Sequence, residues 1–222
     1  MGKAGLTLAT TQAMHNLETH CPLCGQVRFL PGRFGLLSCS NCGLVIDHTV
    51  LEQRDISVTQ EEWFSEDYAT PKTSAWERWF EAQNNRRTYS RILSKGMASG
   101  RMLDIGIGSG SLLAFLKEHG WQVLGCDLSK AVCMLAGQRW SVHAHCGDVA
   151  TLPEDVAYDL VVMNHVLEHV ARPVETLQEV RRRMRAGGLL HLAVPNVACW
   201  EARLKGWGSY EPYHVLYFTP VT

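Results

Sequence analysis

A glycine-rich turn between an apolar run and a helical pattern constrains the fold of this chain most strongly. The run LDI ends at Ile105, the turn GIGSG follows, and the helical pattern begins at Ser111. Glycines adopt turn conformations that other residues avoid, and they let a ligand approach the backbone closely. In an α/β sheet such a turn lies at the carboxyl end of a strand, where ligands bind. The sequence therefore predicts a ligand site at Gly106, Gly108 and Gly110.

Strands and helices alternate over the C-terminal half of the chain. Five strands are predicted, at Met102–Ile105, Gln122–Asp127, Val142–Cys146, Asp159–Asn164 and Leu189–Val194. Three helices are predicted between them, at Ser111–His119, Ser129–Arg139 and Pro173–Arg185. This alternation favours an α/β fold, with a doubly wound, mostly parallel sheet covered on both faces.

Two predicted helices carry further expectations. Ser74 is a good N-cap for a helix to about Lys95. The helical spacing of its aromatic residues predicts that it covers the domain with Trp76, Trp79 and Phe80. In the last helix Leu177 and Val180 mark the buried stripe, and solvent exposure is predicted for Arg181, Arg182, Arg183 and Arg185.

Four of the eight cysteines form two Cys-x2-Cys pairs, and these are the predicted metal ligands Cys21, Cys24, Cys39 and Cys42. Two such pairs about 15 residues apart are typical of a zinc site, because each pair points two thiolates at one ion. A glycine follows each pair, at Gly25 and Gly43. Two disulfides are the alternative, which this spacing disfavours. Four thiolates fill the coordination shell, so the expected zinc is structural.

The charge balance excludes some classes of partner. Lys and Arg total 21 against 22 for Asp and Glu, and residues 1–60 are also balanced. We therefore expect no electrostatic footprint for nucleic acid. The apolar runs are too short to span a membrane, and the N-terminus lacks a secretory pattern, so a cytoplasmic location is expected. The remaining cysteines are expected to be buried small hydrophobes: Cys126, Cys133, Cys146 and Cys199.

Two carboxylates indicate which ligand the glycine turn holds. Asp127 ends the second strand, about 20 residues after the turn, where a carboxylate can accept both ribose hydroxyls. Asp104 precedes the turn, where it would repel a pyrophosphate and favour an ammonium or sulfonium group. Ser111 occupies the third glycine position of the dinucleotide fingerprint. The pattern therefore favours S-adenosylmethionine (SAM) over NAD.

The motifs LDIGIGSG, LGCDLS, CGDVATLP, YDLVVMNHVLEHV and RAGGLLHLAVPN carry a family resemblance. Residues 101–218 resemble the class I SAM-dependent methyltransferases, and the cysteine pairs resemble a subgroup with an N-terminal zinc-binding segment. The resemblance implies a Rossmann-like sheet with an N-terminal zinc ribbon. The expected organisation is a zinc ribbon with its tail at 1–50, a connector with a covering helix at 51–100, and a SAM-binding domain at 101–222.

The resemblance also implies a set of cofactor-binding residues. Asp127 would hold the ribose diol, Asp148 would reach the adenine amino group, and Asp104 would contact the amino end of SAM. The full implied set is Asp104, Gly106, Gly108, Gly110, Asp127, Leu128, Asp148, Val149 and Asn164.

Methyl transfer needs a base only if the acceptor loses a proton, and the candidates are His165 and His214. The methyl acceptor is expected to be a small molecule that receives the methyl group on an O, N or C atom. The aromatic segment 197–218 is expected to form a wall of the acceptor pocket; packing on the sheet edge or in a dimer contact is the alternative.

The chain departs from the family at its C-terminal end. The family sheet has seven strands with a terminal antiparallel hairpin, whereas five strands are predicted here. An open edge after the fifth strand would favour a homodimer. Two alternatives to a small-molecule methyltransferase remain. One is a catalytically inactive SAM-binding interaction or regulatory protein, and the other is an RNA or protein methyltransferase whose ribbon reads the substrate.

Overall fold

The computed structural model describes residues 20–49, 74–204, 206–211 and 213–222. Its strands are β1 Phe29–Pro31, β2 Leu37–Cys39, β3 Val45–Ile46, β4 Arg101–Ile105, β5 Gln122–Asp127, β6 Ala144–Cys146, β7 Tyr158–Asn164, β8 Met184–Ala193 and β9 Leu216–Tyr217. Its helices are α1 Ala75–Leu93, α2 Ser111–Glu118, α3 Lys130–Trp140 and α4 Pro173–Arg183. No helix among the described residues is long and apolar enough to cross a membrane.

The larger sheet has five parallel strands in the order β6-β5-β4-β7-β8. The central strands are apolar and enclosed, with Leu103, Val161 and Val162 fully buried. The order reverses on either side of β4, so the carboxyl ends of β4, β5 and β7 meet around one crevice. The predicted parallel α/β sheet is confirmed, and so are its five strands, although β8 begins five residues earlier than predicted.

A second sheet joins the cysteine-rich segment to the end of the chain. Its four strands are antiparallel in the order β1-β2-β3-β9. Val45 pairs with Tyr217 and Ile46 pairs with Leu216. The aromatic segment 197–218 therefore supplies a strand to the ribbon, which the sequence did not indicate. Among the described residues β8 remains the edge strand of the larger sheet, and the homodimer through that edge stays a prediction.

One hydrophobic core connects the two sheets. Leu44 and Ile46 of the ribbon lie in the same buried cluster as Leu103 and Val161 of the larger sheet, together with Leu216. All five side chains are fully buried. Separating the ribbon from the sheet would expose this shared apolar surface, at a cost of roughly 25 cal/mol per Å².

Helix α1 begins where predicted, but the residues that it buries are not the predicted ones. Ser74 caps α1 through a capping box with Glu77. The buried residues of the helix are Thr88 and Ile92. Trp76 and Trp79 stack on each other at 68% and 52% exposure, so the N-terminal aromatics do not cover the described domain.

Solvent exposure was predicted correctly for Arg181, Arg182 and Arg185, which are exposed, but not for Arg183. Arg183 is 3% exposed, and its guanidinium donates to the backbone carbonyls of Leu152, Pro153 and Ala150. These carbonyls lie in and just after the short 3-10 helix Val149–Thr151. Helix α4 ends at Arg183, two residues earlier than predicted, and β8 follows directly from Met184 through Gly187 and Gly188.

Candidate functional site

The glycine turn lies between β4 and α2, as predicted, and two of its glycines are needed for distinct reasons. Gly106 has φ +72°, and a Cβ on it would lie 2.3 Å from Cγ2 of Val166. Gly110 has φ +72° and caps α2, and its Cβ would lie 3.0 Å from Cβ of Ala136. The turn is therefore packed tightly against the segment after β7 on one side and against α3 on the other.

Asp127 closes the neighbouring strand, and the turn holds its carboxylate. Its Oδ2 accepts a hydrogen bond from the backbone N–H of Ile107 at 3.0 Å, and its Oδ1 accepts one from Ser129 at 2.9 Å. Burial raises the pKa of Asp127, and the backbone hydrogen bonds from Ser129 and Ile107 act against that rise. Each carboxylate oxygen can accept a second hydrogen bond, so the group is oriented and retains capacity for a diol.

A cavity of about 370 Å³ opens where these strands end. Its lining contains eight of the nine predicted cofactor residues: Asp104, Gly106, Gly108, Asp127, Leu128, Asp148, Val149 and Asn164. The ninth, Gly110, is not among the lining residues, because it packs against α3 instead. Residues from four separate chain segments thus converge on one crevice at the carboxyl ends of the strands.

Asp104 is the most unusual group in this cavity. It is 3% exposed, and burial raises its pKa well above the ordinary value, with the nearby charge of Asp127 as the second cause. A buried carboxylate beside a glycine turn disfavours an anionic ligand. It favours a cationic one, whose charge would offset the cost of burial.

The two predicted base candidates lie in different surroundings. His165 lines the cavity with φ +56°, a conformation that residues other than glycine adopt only at some cost. Its Nδ1 lies 3.2 Å from Oε1 of Glu168, and this hydrogen bond raises the pKa of His165. His214 does not line the cavity: it is 4% exposed, and its ring lies 4.7 Å from that of His169.

His169 is the histidine that lines the cavity in front of His214. His169 is not among the predicted site residues. Burial lowers its pKa, and the charge of His214 acts in the same direction. The sequence signal for it was the spacing in His165-Val166-Leu167-Glu168-His169, because a 3-10 turn over Leu167–His169 returns position 169 to the cavity.

The covering helix also contributes to the site, although no predicted site residue came from it. Asn85 lines the cavity, and its side chain donates to Oγ of Ser111 at 3.1 Å. One turn earlier, Glu81 accepts a hydrogen bond from Oγ of Ser109. Helix α1 is therefore attached to the glycine turn. A polar stretch in the middle of an otherwise aromatic helix was the available signal.

The four predicted metal ligands come together in the ribbon. The Sγ atoms of Cys21, Cys24, Cys39 and Cys42 lie within 4.8 Å of one another, the closest pairs being 3.5 and 3.6 Å apart. A disulfide would need about 2.05 Å, and all four thiols are free. Sulfurs bound to one tetrahedral zinc lie about 3.8 Å apart. The donor set and its size therefore fit zinc.

The backbone of each cysteine pair also has the form that a metal site needs. Gly25 N–H donates to the Cys21 carbonyl at 2.8 Å, and Gly43 N–H donates to the Cys39 carbonyl at 3.0 Å. Both glycines have positive φ, as the sequence predicted. Of the other four cysteines, Cys126 and Cys133 are buried, as expected. The expectation was wrong for Cys146, which is exposed, and for Cys199, which is half-buried.

A parallel doubly wound sheet, with a glycine turn and an acidic residue at its reversal point, defines the class of Rossmann-like nucleotide-binding proteins. Comparison with known proteins narrows this class. Residues 76–222 match the family described as the methyltransferase domain, and the chain belongs to that family.

Two curated relatives each match less than half of this chain. It is 36% identical over 108 residues to an uncharacterized 37.1 kDa protein in transposon TN4556 of Streptomyces fradiae, covering 45% of this chain and 30% of that protein. It is 29% identical over 101 residues to the ubiquinone biosynthesis O-methyltransferase of Coxiella burnetii, covering 43% of each. The chain thus spans less than half the length of these relatives.

Solved structures share the fold. The DhpI–SAH complex superposes with a TM-score of 0.51 at 19% identity, over 64% of this chain and 71% of that chain. The N-methyltransferase NodS of Bradyrhizobium japonicum, in complex with S-adenosyl-l-homocysteine, gives 0.50 at 18% identity, over 60% and 71%. At such identities the similarity concerns the fold.

Proposed function

We propose that this chain is a SAM-dependent methyltransferase that transfers a methyl group to a small-molecule acceptor. The observation that carries the proposal is the carboxylate of Asp127, fixed by the N–H groups of Ile107 and Ser129 at the mouth of the glycine turn. This is the position from which a carboxylate accepts a ribose diol in a doubly wound sheet. Membership of the methyltransferase domain family supports the same reading.

The remaining cavity residues fit the other parts of SAM. Asp104 is the group that would hold the amino end, because a buried carboxylate needs a cationic partner. Asp148 and Val149 would face the adenine, with Leu128 beside the ribose. Asn164 and His165 lie at the end of β7, where they would line the side on which the acceptor binds.

SAM supplies an activated methyl group with a neutral leaving group, so the chain mainly has to orient the partners and exclude water. The cavity has the size of small-molecule sites, which span roughly 300–1,000 Å³. The ubiquinone biosynthesis relative also supports a small acceptor. His165 is the base candidate in contact with the cavity, for acceptors that lose a proton.

We also propose that Cys21, Cys24, Cys39 and Cys42 hold a structural zinc. Four thiolates leave no open coordination position, which is typical of zinc that stabilises a fold. The ribbon strands are short, and β3 has two residues. A metal that crosslinks both ends of such a small sheet would supply part of its folding free energy.

The test of the proposed function is methyl transfer itself. Pools of small molecules with hydroxyl or amino groups are incubated with the chain and SAM, and formation of S-adenosylhomocysteine (SAH) is followed. We expect acceptor-dependent SAH formation that Asp127→Asn largely removes. A chain that binds SAH but yields no product with any pool would contradict the enzyme and leave a SAM-binding regulatory protein.

A further inference from the structure

A second cluster of metal-ligating side chains lies beside the cavity and outside the ribbon. One ligand atom from each of Glu168, His169 and His214 lies within 4.8 Å of the others. Glu168 and His169 come from the turn after β7, and His214 comes from the segment that leads into β9. The backbone fixes this meeting, since Val215 N–H donates to the Glu168 carbonyl at 2.8 Å.

The carboxylate of Glu168 indicates that this cluster binds a ligand. Its side chain is fully buried, and its Oε2 has no hydrogen-bond partner among the described residues. Its Oε1 meets the Nδ1 of His165 at 3.2 Å. A buried carboxylate oxygen without a partner costs free energy, and a bound cation is one of the few groups that removes the cost.

The two histidines are oriented as metal ligands usually are. Nδ1 of His214 lies 2.9 Å from the carbonyl oxygen of Ser209, and Nδ1 of His169 lies 3.3 Å from that of Tyr213. A carbonyl oxygen only accepts, so each Nδ1 carries the proton, and in the neutral ring each Nε2 carries the lone pair. Metal-ligating histidines are typically fixed by such a hydrogen bond from their other nitrogen. The Nε2 of His214 also lies 3.6 Å from Oε2 of Glu211, an additional carboxylate beside the cluster.

We infer that Glu168, His169 and His214 form a binding site for a divalent transition-metal cation, separate from the cysteine ribbon. Two imidazoles and one carboxylate suit Zn²⁺, Fe²⁺, Co²⁺ or Mn²⁺. Neighbouring ligands of such an ion lie about 3.0–3.4 Å apart, so binding would contract the present cluster by about an ångström. Side-chain rotation in the Leu167–His169 turn and the His214 segment can supply this movement.

The position of the cluster indicates a role in acceptor binding. Three protein ligands leave at least one coordination position open, as in catalytic sites and unlike the ribbon. His169 lines the cavity, so a ligand in the cavity can approach the ion. The acceptor class that fits is a molecule with a hydroxyl group, whose oxygen the ion would bind and whose pKa it would lower. This last step rests on the proposed function, whereas the ion site itself does not.

The test is direct binding of Mn²⁺, which prefers oxygen and nitrogen ligands over thiolates. The chain, with its ribbon loaded with zinc and weaker ions removed on a chelating resin, is titrated with Mn²⁺ while free Mn²⁺ is measured by electron paramagnetic resonance. We expect one saturable site per chain in the wild type. Glu168→Gln keeps the side-chain shape and should weaken binding by at least about tenfold, and His214→Gln should do the same.

The matched control is His143→Gln, because His143 is an exposed histidine outside the cluster; its Mn²⁺ affinity should equal that of the wild type. No saturable binding in the wild type would overturn the proposal, and so would equal affinity in wild type, Glu168→Gln and His214→Gln. Circular dichroism of the same samples checks that each variant is folded, and SAH titration follows. The SAH titration separates the two proposals: a chain that binds Mn²⁺ without SAH contradicts the proposed function alone, and the reverse contradicts the ion site alone.

Discussion

Val45 of the cysteine ribbon pairs with Tyr217 near the end of the chain, antiparallel and in register with Ile46 and Leu216. The same segment donates a hydrogen bond from Val215 N–H to the carbonyl of Glu168, the residue before the cavity-lining His169. The ribbon is therefore connected through β9 to the segment that follows β7. This connection makes the ribbon part of the structure that positions the site.

Replacing Leu216 tests the connection between ribbon and sheet. Leu216 is fully buried in the core shared by both sheets, so Leu216→Ala should lower the free energy of unfolding by about 2–5 kcal/mol. Urea denaturation measures the change. Val221→Ala is the control, because Val221 is 91% exposed and its loss should change stability by at most about 0.5 kcal/mol. Equal effects of the two substitutions would argue against a shared core.

Removal of one ribbon thiolate tests the structural zinc. Cys24→Ser should lower the zinc content well below one per chain and reduce the melting temperature, because metal binding contributes to folding. Metal analysis and thermal unfolding measure the two effects. Cys146→Ser should retain the metal, since Cys146 is exposed and lies outside the cluster. Stoichiometric zinc in a Cys24→Ser variant that also carries Glu168→Gln, which removes a ligand of the second cluster, would exclude the four-cysteine site.

Two glycine substitutions separate backbone strain from close packing. Gly120 and Gly106 both have positive φ, but a Cβ on Gly120 meets nothing within 4 Å, whereas one on Gly106 overlaps Val166. Gly120→Ala should cost about 1–2 kcal/mol from strain alone. Gly106→Ala should cost more and should also weaken SAH binding, because the turn must move. Urea denaturation measures the stability of each variant, and calorimetric titration measures its SAH affinity. An unaffected SAH affinity in the Gly106 variant would place the turn outside the ligand site.

The buried Asp104 predicts a pH-dependent stability. Burial raises its pKa in the folded state, so the unfolded chain loses this proton at a lower pH than the folded protein does. The free energy of unfolding therefore falls as the pH rises from the unfolded-state pKa to the folded-state pKa. Asp104→Asn removes this loss. The variant should match the wild type near about pH 4 and become the more stable protein toward about pH 7. Denaturation across this range checks the sign; parallel curves would show that Asp104 does not titrate as described.

The same substitution should weaken the ligand. An ammonium group loses its charged partner in Asp104→Asn, and a hydrogen bond to a charged group contributes about 1.5–3 kcal/mol. SAH affinity should therefore fall by about tenfold or more while stability rises. Unchanged affinity would mean that Asp104 holds some other part of the cavity.

Local patterns predicted the parts of the fold that local physics determines. The apolar runs around Leu103 and Val161 are strands because they are buried on both faces, and Asp127 stands out because a strand end is a costly place for a carboxylate. The cysteine pairs, with Gly25 and Gly43, predicted their own turns. Each of these features is complete within a few residues of sequence.

The features that were missed depend on contacts between distant segments. Nothing near Leu216 shows that it pairs with Ile46, because two-residue strands have no periodicity to read. Solvent exposure was predicted for Arg183 beside other arginines, yet its guanidinium is buried and donates to backbone carbonyls of residues 150–153, about 30 residues earlier in the chain. His169 reaches the cavity only because the chain forms a 3-10 turn there.

Calorimetric titration with SAH tests the central claim most directly. The wild type should bind one SAH per chain with a Kd in the micromolar range, equivalent to about −8 kcal/mol. Asp127→Asn should weaken binding by at least about tenfold, whereas Asp155→Asn, an exposed aspartate outside the cavity lining, should bind like the wild type. Absence of binding by folded wild type, or equal affinity in all three proteins, would contradict the assignment of this cavity to SAM.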